Sequence, residues 1–143
     1  MESILISSCL LGNNTKYNGK NNYNPLVKKL KEKYNLIPIC PEVLGGLLIP
    51  REPSEIIGDK VINKIGVDVT KNFNEGARLS LIEAKKHNIK YAILKDGSPS
   101  CGVNYIYDGT FSGTKINGMG ITAKLLSLNN ITLLSEKDIE KLI

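Results

Sequence analysis

The chain has 143 residues, 41% apolar and 23% charged, with a formal net charge of +5. That length fits one domain over residues 1–143 with its own core, and the composition excludes an intrinsically disordered chain. No apolar run approaches the ~18 residues that span a bilayer. No basic stretch leads into a long apolar one at the N-terminus, so the expectation is a cytoplasmic protein with no membrane partner.

Residues 3–8, Ser3-Ile4-Leu5-Ile6-Ser7-Ser8, form an apolar-plus-serine run that predicts a buried central strand ending at Cys9. A loop rich in Asn, Gly and Lys runs from Gly12 to Asn24. Asn24-Pro25 reads as a helix start, and Leu26, Val27, Leu30 and Tyr34 follow at helical spacing. Leu36–Ile39 predicts a second strand, ending at Cys40. Residues 40–53 read as irregular, and Val61-Ile62 with Ile65-Gly66-Val67 predicts a small hairpin around Asn63-Lys64.

Asp68 or Thr70 caps a predicted helix over residues 71–87, with Phe73, Ala77, Leu81 and Ala84 on one face and Asn88 closing its end. Tyr91–Leu94 predicts a third strand, followed by the turn-rich Asp96-Gly97-Ser98-Pro99-Ser100-Cys101-Gly102. A further loop includes Asp108–Gly113. Met119–Leu128 predicts a helix, Ile131–Leu134 a fourth strand, and Ser135 caps a last helix over 136–142.

Strands alternating with helices predict an α/β fold: a three-layer α/β/α arrangement with a mostly parallel, Rossmann-like sheet. Strand C-terminal ends then share one edge, where ligands of such sheets bind. Cys9, Cys40 and Cys101 are the chain's three cysteines, and all fall there. Three convergent thiolates without a fourth make an incomplete metal site, open to substrate.

Several chemistries compete for these residues. A cysteine nucleophile wants a nearby base, but the lone His87 sits at a helix end expected on the opposite sheet edge. A structural zinc knuckle wants four ligands in close pairs, which these widely spaced cysteines do not supply. A three-cysteine catalytic zinc, an iron–sulfur cluster and three unrelated buried thiols remain open. Residues Gly12–Lys20 lack the glycine spacing and the Ser/Thr of a phosphate loop. Gly97–Gly102 reads either as an anion-binding nest or as an ordinary turn.

Among polar neighbours, Glu42 follows Cys40 among apolar residues, a setting that predicts either proton transfer or a surface carboxylate. Ser98 and Ser100 flank the approach to Cys101, as hydrogen-bond donors to a ligand or as turn formers. Lys95 and Asp96 are ambiguous. Arg51, between two prolines, reads as an anion clamp or a rim ion pair. The lysines Lys28, Lys29, Lys31 and Lys33 read as a solvated helix face, and without an arginine cluster nucleic acid is not the expected partner.

The strings Ser8-Cys9-Leu10-Leu11-Gly12, Pro38-Ile39-Cys40-Pro41-Glu42-Val43-Leu44-Gly45-Gly46, Ser98-Pro99-Ser100-Cys101-Gly102 and Tyr107-Asp108-Gly109-Thr110-Phe111-Ser112-Gly113 occur in this order. Together they resemble a small bacterial and archaeal family associated with thiouracil desulfidases. The resemblance implies a 4Fe–4S cluster held by Cys9, Cys40 and Cys101, with one iron not ligated by protein and free to bind the sulfur of a thiolated pyrimidine. It implies Glu42 as the proton-transfer residue, with Ser98 and then Ser100 orienting substrate or water. The implied reaction is non-redox: water replaces sulfur at carbon and sulfide leaves. Its implied partners are a small thiolated base or related thioamide and the cluster-assembly machinery. A non-catalytic iron–sulfur carrier or sensor is the alternative. Many relatives carry a further cysteine where this chain has Thr15 and an arginine where it has Lys16; lysine loses bidentate geometry, which bears on substrate scope.

Overall fold

The structure is a computed structural model that describes residues 1–143. Its first half runs β1 (Ser3–Ser7), a 3-10 turn (Ser8–Leu11), α1 (Val27–Lys31), β2 (Asn35–Ile39), α2 (Pro41–Leu44), β3 (Ser54–Ile57) and β4 (Lys60–Asn63). Its second half runs α3 (Thr70–Lys86), β5 (Tyr91–Leu94), β6 (Tyr105–Tyr107), β7 (Lys115–Asn117), α4 (Ile121–Leu128), β8 (Thr132–Ser135) and a 3-10 helix (Glu136–Leu142).

Four strands form a parallel sheet in the order β2-β1-β5-β8. Side-chain alternation divides the core between its faces. Ile4 and Ile6 of β1 and Ile93 of β5 pack with Val27, Leu30 and Ile139 on one side. Leu5, Ala92 and Leu94 pack with Ala84, Ala123 and Leu126 on the other. Both faces are covered by helices, the three-layer α/β/α arrangement that near-continuous apolar strands require. The chain leaves β1 in one direction to β2 and later crosses to β5 on its other side. The strand order thus reverses at the C-terminal ends of β1 and β5, where a crevice opens. No helix is long and apolar enough to cross a membrane.

The long helix α3 starts where Asp68 Oδ1 accepts both the N–H and the hydroxyl of Thr70, at 2.9 and 2.6 Å. It ends at His87, with Asn88 in a left-handed conformation at φ 53°. Phe73, Ala77 and Ala84 are buried as their spacing predicts. On α1, Lys28, Lys29 and Lys31 are exposed and Val27 and Leu30 are buried, as a solvated face requires, and Lys33 is exposed in the turn that follows.

Three local expectations are corrected. The two-stranded hairpin pairs β3 with β4 across Gly58-Asp59, and the expected return around Asn63-Lys64 amounts to a single antiparallel bridge, Ile62 to Asp68, with no second strand. Gly58 takes the positive φ of that turn, while Asn63 Oδ1 gathers the N–H groups of Ile65 and Val67 into a turn of its own. Residues 41–44 form the one-turn α2, with Pro41 in its first turn and Gly45 closing it, inside a stretch that reads as irregular. The Asp108–Gly113 loop is where it is expected, as the tip of the β6–β7 hairpin, whose three-residue strands are too short to show a period. Asn24 and Pro25 form a turn in which Asn24 Oδ1 accepts the Leu26 N–H, and the helix after it keeps only five residues.

Candidate active site

Each cysteine follows a strand of the central sheet. Cys9 lies in the 3-10 turn after β1, Cys40 at the N-cap of α2 after β2, and Cys101 in the loop after β5. All three line one cavity of about 480 Å³ at the C-terminal edge of the sheet. Cys9 and Cys40 are partly exposed, and Cys101 is buried. Cys9 Sγ accepts the Asn22 amide at 3.4 Å, Cys40 Sγ lies 3.8 Å from the Thr15 carbonyl oxygen, and Ser100 Oγ reaches Cys101 Sγ at 3.8 Å.

Burial pushes the Cys101 thiol up to about 12, only partly offset by the nearby Ser7 and Ser100 hydroxyls. Burial raises Cys9 as well, opposed by the Asn22 amide, and the neighbouring Cys40 adds to the rise. At Cys9 and Cys101 the cavity thus disfavours a bare thiolate and favours a cation that takes its charge. No three His, Cys, Asp or Glu side chains are already gathered around one metal-ion position. Three soft sulfur donors without a histidine suit an iron–sulfur cluster. His87 sits at the far end of α3, 3.0 Å from Glu83 Oε1, and does not line the cavity.

Glu42 is set against this trio by α2. The sequence surrounds it with apolar neighbours, but the fold does not. Arg51 Nε meets its Oε1 at 3.0 Å in an ion pair whose side chains are 8% and 15% exposed. Ser100 Oγ donates to its Oε2, also at 3.0 Å. Arg51 donates further to the carbonyls of Leu48 and Thr15, so it is neither a free clamp nor a rim residue but the anchor of Glu42. Backbone contact fixes the height of α2: a Cβ at Gly45 would land on the Asn72 carbonyl, and one at Gly76 on the Pro41 carbonyl. The Asn72 amide closes this joint by donating to the Gly45 carbonyl at 2.8 Å.

The Cys101 loop is built around two polar groups. Asp96, 3% exposed, accepts the N–H groups of Val103, Asn104 and Tyr105 and the Asn104 amide. Burial alone would push its carboxyl up, but those donors hold it below the usual carboxylate range. Ser98 Oγ accepts the N–H groups of Ser100 and Cys101 at 3.1 and 2.9 Å. With the Ser100 proton on Glu42, the Ser98 hydroxyl donates to Ser100 Oγ at 2.9 Å. A hydrogen-bonded row therefore runs Ser98, Ser100, Glu42, Arg51. The N–H groups of Gly97, Ser100, Cys101 and Gly102 are all bonded within the loop and its neighbours, which leaves no anion nest and makes this an ordinary turn. Lys95 lines the cavity, where Glu136 overcomes the effect of burial and raises its pKa.

The structure thus brings Cys9, Cys40, Cys101, Glu42, Ser98 and Ser100 to one wall-to-wall site, together with Thr15, Lys16, Arg51 and Lys95. Sequence reasoning missed Asn22, Glu55, Tyr107 and Phe111 as parts of the cavity. For the last two, the Tyr107–Gly113 string was the available signal.

The sequence model of a family described as 2-thiouracil desulfurase matches residues 4–138. The Bacillus subtilis (strain 168) protein YbbK, described as uncharacterized, is 42% identical over 150 aligned residues covering 98% of this chain and 99% of YbbK. A solved structure described as the 4Fe–4S-dependent thiouracil desulfidase TudS superposes with a TM-score of 0.93 at 39% identity. That superposition covers 99% of this chain and 95% of TudS.

Proposed function

The chain belongs to the 2-thiouracil desulfurase family, an enzyme family, and on that premise we propose that it removes sulfur from a thiolated pyrimidine such as 2-thiouracil by hydrolysis. The observation that carries the reading is the meeting of three cysteines, from three strand ends, with a serine–carboxylate row in one cavity. The likeness to TudS supports the cofactor class.

In this reading Cys9, Cys40 and Cys101 hold a 4Fe–4S cluster. When bound, the cluster supplies a Lewis-acidic iron that no protein thiol fills, a soft acceptor for the substrate's sulfur. The remaining work belongs to side chains of this chain. Arg51 fixes the Glu42 carboxylate so that Oε2 faces Ser100 and the cavity. Glu42 takes a proton from the water that adds to the C–S carbon and returns one to the departing sulfur, so that thiouracil and water give uracil and hydrogen sulfide with no change of redox state. Ser98 orients substrate or water and holds the Ser100 hydroxyl; Ser100 holds Oε2. Three free thiols suit a reducing compartment, the cytoplasm, in which cluster-assembly machinery would load the site.

Anaerobic reconstitution tests this. The expected result is a brown protein with iron and sulfide in cluster stoichiometry that converts 2-thiouracil to uracil and sulfide over many turnovers. Failure to take up iron, with tight zinc binding instead, would overturn it. A loaded protein that retains sulfur but never turns over would be a carrier or sensor.

A further inference from the structure

The chain has two phenylalanines, and they are placed differently. Phe73 is 1% exposed within a core cluster with Val61 and Val69. Phe111 belongs to no core cluster, stays partly exposed, and lines the cavity that the three cysteines share. It sits at the tip of the β6–β7 hairpin with φ 56°, a left-handed conformation that a bulky residue adopts only when its surroundings impose it.

Those surroundings are specific. Glu55 Oε1, from β3, accepts the N–H of Gly109 at 2.9 Å and the N–H of Phe111 at 3.1 Å. Gly109, at φ 93°, lies where a Cβ would crowd the Ile56 carbonyl, so the tip is laid directly on β3. Asp108 Oδ1 accepts the N–H and hydroxyl of Thr110, and the hydroxyls of Thr110, Ser112 and Thr114 follow one another at 2.5 and 2.8 Å. The loop is therefore organised before any ligand arrives. The other aromatic side chains of the cavity are placed differently. Tyr107 is engaged edge-on by Tyr105, with ring centroids 6.2 Å apart at 89°, and Tyr17 is 42% exposed.

Resting on the desulfidase reading, we propose that Phe111 is the flat face against which the substrate's pyrimidine ring lies, and that Glu55 is the positioning residue that holds it there. A thiolated pyrimidine is a planar heteroaromatic, and stacking on an aromatic side chain fixes its plane without reading its edge. With the ring plane fixed, the exocyclic sulfur can be turned toward the cysteine end of the cavity and the C–S carbon toward Glu42. The strained backbone of Phe111 is explained by this task, because no core packing requires the ring to stand where it does.

The test uses cluster-loaded protein, with iron content, melting temperature and turnover measured for each variant. Phe111→Ala is expected to raise KM for 2-thiouracil roughly 10-fold, the size of one lost base stack. It should weaken uracil binding by calorimetry in parallel and leave iron content unchanged. Phe111→Leu, which keeps bulk without a flat face, should move the same way, and Phe111→Tyr should restore most of the affinity. Glu55→Ala should raise KM in the same direction, and Glu55→Gln, which keeps an acceptor oxygen, should recover it. Active wild type with unchanged KM and uracil affinity in Phe111→Ala or Phe111→Leu overturns the assignment of Phe111 alone. Loss of iron in the Phe111 variants would make the residue part of the cluster shell and overturn it too. A loaded wild type that does not act on 2-thiouracil overturns the desulfidase reading, and this inference with it.

Discussion

Ser100 donates its hydroxyl to Glu42 Oε2 at 3.0 Å across a separation of 58 positions in sequence. The two residues arrive from different strands, Glu42 on the turn of helix after β2 and Ser100 in the loop after β5, each beside a cysteine. In the proposed reading, that bond ties the carboxylate that handles the proton to the cysteine end of the cavity. The Arg51 ion pair on the opposite carboxylate oxygen keeps Glu42 from turning away.

Cys40→Ala and Cys101→Ala should each abolish stable cluster retention. Iron and sulfide analysis after anaerobic reconstitution reads the outcome. A full cluster in both variants would mean that the ligands are elsewhere.

Glu42→Gln should keep the cluster and lose activity by about 10²–10⁴-fold, the range of a positioned acid–base group. Arg51→Met should cost about 2–3 kcal/mol of stability, because it strands a nearly buried carboxylate. Steady-state rates and melting curves check both. Normal turnover in Glu42→Gln would remove this residue from the mechanism.

Gly76→Ala drives a methyl group onto the Pro41 carbonyl and must shift α2 or α3. Overpacking of this kind costs about 1–3 kcal/mol. Because α2 carries Glu42, kcat should fall about 10-fold or more with KM less affected. An unchanged melting curve together with unchanged kcat would show that the joint tolerates a side chain.

Asp96 predicts a pH dependence of stability. Its folded carboxyl lies below the ordinary carboxylate range because hydrogen bonds to Asn104, Tyr105 and Val103 outweigh burial. A depressed folded pKa contributes stability that is fully present above the unfolded value near ~3.9 and is lost as pH falls through the folded one. Asp96→Asn should therefore be less stable than wild type by about 1–3 kcal/mol at neutral pH, with the gap closing below pH ~4. Denaturation measured at both pH values decides it; a constant gap would mean that the charge on Asp96 contributes nothing.

The central sheet was legible in the sequence because its strands are short apolar runs bounded by turns, and α3 because Phe73, Ala77 and Ala84 recur at helical spacing. The hairpins were not. Three-residue strands such as Tyr105–Tyr107 carry too little pattern, and β3 and β4, with four residues each, carry little more. Glu42 was legible as a candidate but its surroundings were not, since the apolar neighbours that precede and follow it are not those that face it.

What the sequence determined by itself was that three thiols follow three strands and share one sheet edge. Thiols placed after strands of a parallel sheet must gather at its C-terminal rim, because right-handed crossovers return every strand in the same direction. What only the tertiary structure decided was the company each group keeps. Ser100 on Glu42 and Glu55 under Phe111 join segments 58 and 56 positions apart, and Arg51, nine positions from Glu42, reaches it across an irregular loop. Such pairings depend on packed geometry at the scale of a hydrogen bond, which no local pattern of residues encodes.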